Sequence, residues 1–153
     1  MATLQYLVIH CTATPEGREV SQADIRRWHT SAPPEGRGWK QVGYTDMIHL
    51  DGKTERLVPN NEDANVDPWE ITNGAIGYNS VSRHVVYVGG LASDAKTPKD
   101  TRTAAQLKTM AAYVRSFHAR FPNVKIVGHN QLAAKACPSF NVPQWLRSIG
   151  INQ

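Results

Sequence analysis

Apolar and polar positions along the chain divide it into short strands and a few helices. The run Leu7-Val8-Ile9 lies in a nearly continuous apolar stretch, which predicts a strand over 4–10, central and buried on both faces. Helical spacing of Ile25 and Trp28, with Ser21 as N-cap and Asp24 three residues on, predicts a helix over 22–30. His29 falls beside that stripe as a structural or exposed residue. A strand over 44–50 follows, then a hairpin at Asp51-Gly52 and a returning strand over 54–58. Strand periodicity puts Tyr44, Asp46, Ile48 and Leu50 on one face and Thr45, Met47 and His49 on the other. Residues 59–79 are polar and irregular, with a short helix expected near 73–76. Residues 84–88 read as a buried strand closed by Gly89-Gly90. The longest helix spans 103–121, where Ala104, Leu107, Met110, Ala111, Val114 and Phe117 recur at helical spacing and Pro122 stops it. His118 is expected to be exposed on it. A strand over 124–127, a loop over 128–140 and a last helix from Val142-Pro143 to about 149 complete the chain.

Strands and helices alternate only in part. The expected fold is α/β: a mixed central β-sheet flanked by helices, in a single domain over 1–153 with no separate wall-binding domain. The pattern does not give the strand order. An apolar content of 41% and a charged content of 20% suit a globular chain, and no apolar run is long enough to span a membrane. No basic segment followed by an apolar one opens the chain, so no secretory signal is expected and synthesis in the cytoplasm is. The formal charge of +4 favours an anionic partner. The basic residues are spread out, with no stripe and no interleaved aromatics, so a nucleic-acid partner ranks last.

The chemistry gathers near the C-terminus. His129 and Cys137 lie eight positions apart on the loop that follows a strand. Imidazole and thiolate are ligands zinc prefers, and His10, at the end of the first strand, is the candidate third. Three protein ligands with water in the fourth position is the catalytic pattern; His84 is the only fourth ligand worth proposing. Such a zinc ion activates water and polarises a carbonyl, so the expected chemistry is hydrolysis of an amide or ester. Lys135, two residues before Cys137, can share its side of an extended segment and stabilise an oxyanion. On spacing alone a solvated loop lysine is the stronger reading. Cys11 should point away from His10 into the core; a Cys11–Cys137 bridge is the competing arrangement.

Ile9-His10-Cys11-Thr12-Ala13-Thr14, Gly38-Trp39 with Val42-Gly43-Tyr44, Val88-Gly89-Gly90, and Gly128-His129 through Lys135-Ala136-Cys137-Pro138-Ser139-Phe140 occur in an order that resembles the type 2 N-acetylmuramoyl-L-alanine amidases. Within that family the chain is most similar to the short phage endolysins of the T-odd coliphage lysozyme type. The peptidoglycan recognition proteins share the fold. The resemblance implies a zinc amidase that cuts between the lactyl group of N-acetylmuramic acid and L-alanine. It implies one Zn2+ held by His10, His129 and Cys137 plus water, with Tyr44 and Lys135 as active-site residues. Either of those two can protonate the leaving amine. Family members that only bind wall fragments generally lack the ligand at 137, so its presence favours an enzyme. Peptidoglycan is the implied substrate and host lysis the implied role, with action on the wall or periplasm after another protein opens the membrane. Cytoplasmic recycling of muropeptides and a non-lytic binding or regulatory module are the alternatives. A contact with a phage RNA polymerase, made by some amidases of this type, is not tested by these residues. A monomer is expected.

Three positions depart from the family pattern. Thr45 follows Tyr44 where many members have histidine. Asn130-Gln131 follows His129 where many have Arg-Asp. Asn79-Ser80-Val81-Ser82-Arg83-His84 stands where the usual approach to the strand is Asn-x-x-Ser-Ile-Gly, and His84 is a candidate substrate contact.

Overall fold

The apolar run near the N-terminus becomes the centre of the sheet. In a computed structural model, which describes residues 2–153, the elements in order are β1 (Ala2–Thr3), β2 (Tyr6–Cys11), β3 (Thr14–Pro15), α1 (Gln22–Thr30), β4 (Asp46–Ile48), β5 (Thr54–Arg56), β6 (Asn65–Val66), β7 (Ser82–Tyr87), β8 (Gly90–Leu91), α2 (Ala104–Arg120), β9 (Lys125–Gly128) and α3 (Val142–Ser148). The main sheet has five strands in the order β5-β4-β7-β2-β9. β2 pairs in parallel with β7 and β9, β4 with β7, and only the edge strand β5 runs antiparallel. The fold is thus the mixed α/β sheet with flanking helices that the pattern predicts. Among the described residues, no helix is long and apolar enough to cross a membrane.

Side-chain alternation assigns the two faces. Leu7, Ile9 and Cys11 of β2 join Val85, Tyr87 and Ile126 in one core, closed by Met110, Val114 and Phe117 of α2 and Leu146 of α3. Met47, Val86 and Val88 face the other way, against Ile25 of α1 and Val42. Val8 pairs with His84 and His10 with Val86, so both histidines share the α1 face. Each helix starts where its cap lies. Ser21 and Asp24 form a reciprocal capping box on α1, as Thr103 and Gln106 do on α2. Asn141 caps α3, with Pro143 in its first turn.

Three expectations change, and the hairpin gains a defined loop. No helix forms at 73–76; short 3-10 turns form instead at Pro68–Glu70 and Asn79–Val81. The hairpin loop spans 50–52, because His49 N–H donates to Lys53 O and Gly52 N–H to His49 O, both at 2.9 Å. Gly52 takes φ +86°, so Asp51-Gly52 ends a three-residue loop rather than forming a two-residue turn. Both hairpin strands are therefore short, and the pleat does not reach Tyr44 or Leu50. These pack with Met47 on the α1 face, while Ile48 packs opposite. His118 is half-buried rather than exposed.

Candidate metal centre and active site

The site lies at the carboxyl ends of parallel strands, where open α/β sheets leave a crevice. His10 is the second-last residue of β2, and His129 directly follows β9 in a 3-10 turn, His129–Gln131. Gln131 Oε1 accepts the Gly128 N–H at 2.7 Å and closes that turn. The loop that carries Cys137 is tied to the sheet end at two points. Tyr87 Oη donates to Pro138 O at 2.7 Å, and Ser139 Oγ donates to Gly90 O at 2.8 Å. The result is that one ligand atom each from His10, His129 and Cys137 lies within 4.8 Å of the others. Cys137 Sγ is 3.7 Å from His10 Nδ1 and accepts the Cys11 N–H at 3.3 Å. Two imidazoles and a thiol match the donor chemistry zinc prefers.

The protonation states suit a cation. Burial, then the neighbouring imidazoles of His84, His129 and His29 and the Lys135 ammonium, hold His10 well below its ordinary pKa. Burial, then Lys135, lowers His129. Both are neutral at pH 7, as metal ligands must be. The hydrogen bond with the Cys11 thiol, then burial, pushes the Cys137 thiol up, against the Cys11 N–H and Lys135. A coordinated cation reverses this, since a coordinating thiol is deprotonated. Both cysteines are free, and Cys11 is buried in the core as its parity predicts.

Tyr44 and Lys135 border the three donors. The Tyr44 ring lies 5.2 Å from the His10 ring and 5.2 Å from that of His29. His29 is structural: its Nδ1 accepts the Gly43 N–H at 2.9 Å and its ring packs on Trp39. Burial pushes the Tyr44 phenol far above its ordinary pKa, so it keeps its proton and can donate. Lys135 is exposed, and its charge lowers His10, His129 and Cys137, so its ammonium acts on all three donors.

His84 is not at the substrate surface. It is fully buried, its Nδ1 is 2.8 Å from His10 Nε2, and its Nε2 is 3.1 Å from Asn79 Oδ1. It therefore can neither touch substrate nor serve as a fourth ligand. Only the β2–β7 pairing brings it behind His10, and that pairing is not written in local sequence.

These buried imidazoles predict a pH dependence for the metal-free protein. Burial, then His129, lowers His84 to about 3, and burial, then Arg37, lowers His29 to about 4. In the unfolded chain both titrate near about 6.5, so below that pH the unfolded state binds more protons. Stability is full above about pH 6.5 and falls as pH drops toward the folded values, by up to about 1.4 kcal/mol per pH unit for each group. Melting of the chelated protein should move to lower temperature between neutral pH and about pH 5; an unchanged melt would contradict the neutral assignments.

The family model described as N-acetylmuramoyl-L-alanine amidase matches residues 1–140. The endolysin of Enterobacteria phage K11 is 33% identical over 147 residues, covering 95% of this chain and 87% of that protein. The endolysin of Escherichia phage T7 is 31% identical over 139 residues, covering 91% and 83%. Among solved structures, the N-acetylmuramoyl-L-alanine amidase LysC from Clostridium intestinale URNW matches with a TM-score of 0.74 at 19% identity, over 99% of this chain and 88% of that one. This last likeness concerns the fold. The family match over most of the length, and endolysins above 30% identity, lead to one conclusion: the chain belongs to the N-acetylmuramoyl-L-alanine amidase family.

Proposed function

We propose that this amidase is zinc-dependent, hydrolyses the bond between N-acetylmuramic acid and the L-alanine of the stem peptide, and serves as a phage or prophage endolysin in host lysis. The observation that carries the reading is the meeting of two neutral imidazoles and a thiol within 4.8 Å, beside a protonated phenol and an ammonium. His10 and His129 would offer neutral nitrogens, and Cys137 a thiolate. When bound, zinc lowers the pKa of water and polarises the scissile carbonyl. Lys135 places a positive charge where the carbonyl oxygen becomes negative, and the Tyr44 hydroxyl donates a hydrogen bond at the same stage. Hydrolysis adds the hydroxyl of water to the lactyl carbonyl and leaves its proton on the amine of L-alanine.

The endolysin role rests on the two phage endolysins the chain resembles over most of its length. In that role it acts on the wall once another protein has opened the membrane. Comparing intact sacculi with soluble anhydro-muropeptides as substrates tests it. A lytic enzyme releases stem peptides from sacculi. Cleavage confined to the soluble fragments would instead assign a recycling role.

A further inference from the structure

Behind His10 lies a chain of hydrogen bonds whose direction can be read from one end to the other. The backbone N–H of Ala75 can only donate, and it donates to Asn79 Oδ1 at 2.8 Å. That fixes this Asn79 atom as the oxygen, an acceptor. The same oxygen is 3.1 Å from His84 Nε2, which must therefore carry a hydrogen. A neutral imidazole has one N–H, so His84 Nδ1 is left as an acceptor. It lies 2.8 Å from His10 Nε2, which must be the donor. His10 Nδ1 is then the nitrogen with the free lone pair, and it is the one 3.7 Å from Cys137 Sγ.

We infer that Asn79 and His84 are positioning residues that fix the tautomer and ring orientation of His10 as a metal ligand. This rests on the zinc reading above. Thr45, just before β4, and His84 of β7 are neighbours. Thr45 N–H donates to His84 O at 2.8 Å, and the β4–β7 register that pairs Asp46 with Val85 sets Thr45 beside His84. Paired residues in a parallel sheet share a face, so a side chain at 45 and one at 84 stand one strand spacing apart over the same ground.

The surroundings of His84 are shaped to hold its ring. A Cβ on Gly74 would lie 2.6 Å from His84 Nδ1 and 2.7 Å from Gly43 O, so only glycine leaves room there. His84 N–H also approaches Thr45 Oγ1, at 3.4 Å, a contact the small threonine permits.

The test is zinc affinity, measured by competition with a chromogenic chelator, together with the absorption spectrum of the cobalt-substituted protein. Removing such a partner of a metal-ligating histidine weakens metal binding by about 10- to 100-fold. His84→Ala should lose affinity in that range and broaden the cobalt bands. Asn79→Ala leaves both histidines in place and should weaken binding several-fold. It keeps the inference testable if His84→Ala does not fold. Wild-type affinity and spectrum in Asn79→Ala and in His84→Ala would overturn the relay. If the wild-type protein binds no zinc, the zinc reading falls, and this inference with it.

Discussion

In a Cys137→Ser variant, zinc and amidase activity are lost together. Cys137 is the only sulfur among the three donors, and thiolate is the ligand that most favours zinc over the harder divalent cations. Structural zinc sites bind with about 10–16 kcal/mol, so losing one of three ligands should cost more than about 3 kcal/mol, or over about 100-fold in affinity. Serine is close in size and can still accept the Cys11 N–H, so the fold should survive. Tyr87 Oη holds the backbone of Pro138 rather than the sulfur, and Ser139 holds the loop to Gly90. The separating control is the melting temperature after chelation, which should match that of the chelated parent protein. Metal content and activity measured on the same sample check the result. Full activity with serine at 137 would remove this residue from the site.

Lys135→Ala should give the opposite split, with zinc retained and rate lost. The side chain is exposed and is not one of the three donors, so its removal leaves the ligand set intact. Its charge nevertheless lowers the pKa values of His10, His129 and Cys137, and in the proposed mechanism it stabilises negative charge developing beside them. Loss of a single oxyanion donor typically costs about 100- to 1,000-fold in kcat. Since that charge develops in the transition state, KM should change little. The measurement is kcat and KM on a soluble muramoyl-peptide at saturating zinc. An unchanged kcat would return Lys135 to the role of a solvated loop lysine.

Local pattern carried much of this architecture and little of its long-range pairing. The strand through Leu7, Val8 and Ile9 was legible because burial on both faces leaves a nearly continuous apolar run, broken only at its end by His10. α1 was legible to the residue, since Ser21 and Asp24 mark its start and the stripe of Ile25 fixes its face. Parity along β2 separated Cys11 from His10, because strand geometry is local. The hairpin at Asp51-Gly52 was legible, while its loop length was not. Asp51-Gly52 suits a two-residue turn, but the strands stop early and Gly52 supplies the positive φ of a longer one. The turn at 73–76 has too few residues between its tertiary anchors to wind a helix; Asn73 Nδ2 is held by Gln41 O and Ala75 by Asn79. His84 was the largest miss. It lies 74 positions from His10, and only the strand order β7-β2 makes them neighbours. His10, His129 and Cys137 were singled out by residue type and by resemblance, and the parallel ends of β2 and β9 bring them to one crevice.

The most direct test of the central claim is digestion of purified sacculi followed by mass spectrometry of the released fragments. The protein is used as purified, after chelation, and after zinc is restored, with bound metal measured at each step. The account predicts free stem peptides beginning with L-alanine, absent after chelation and regained in proportion to zinc bound. Release that persists in the metal-free protein, or fragments cut at any other bond, would contradict it.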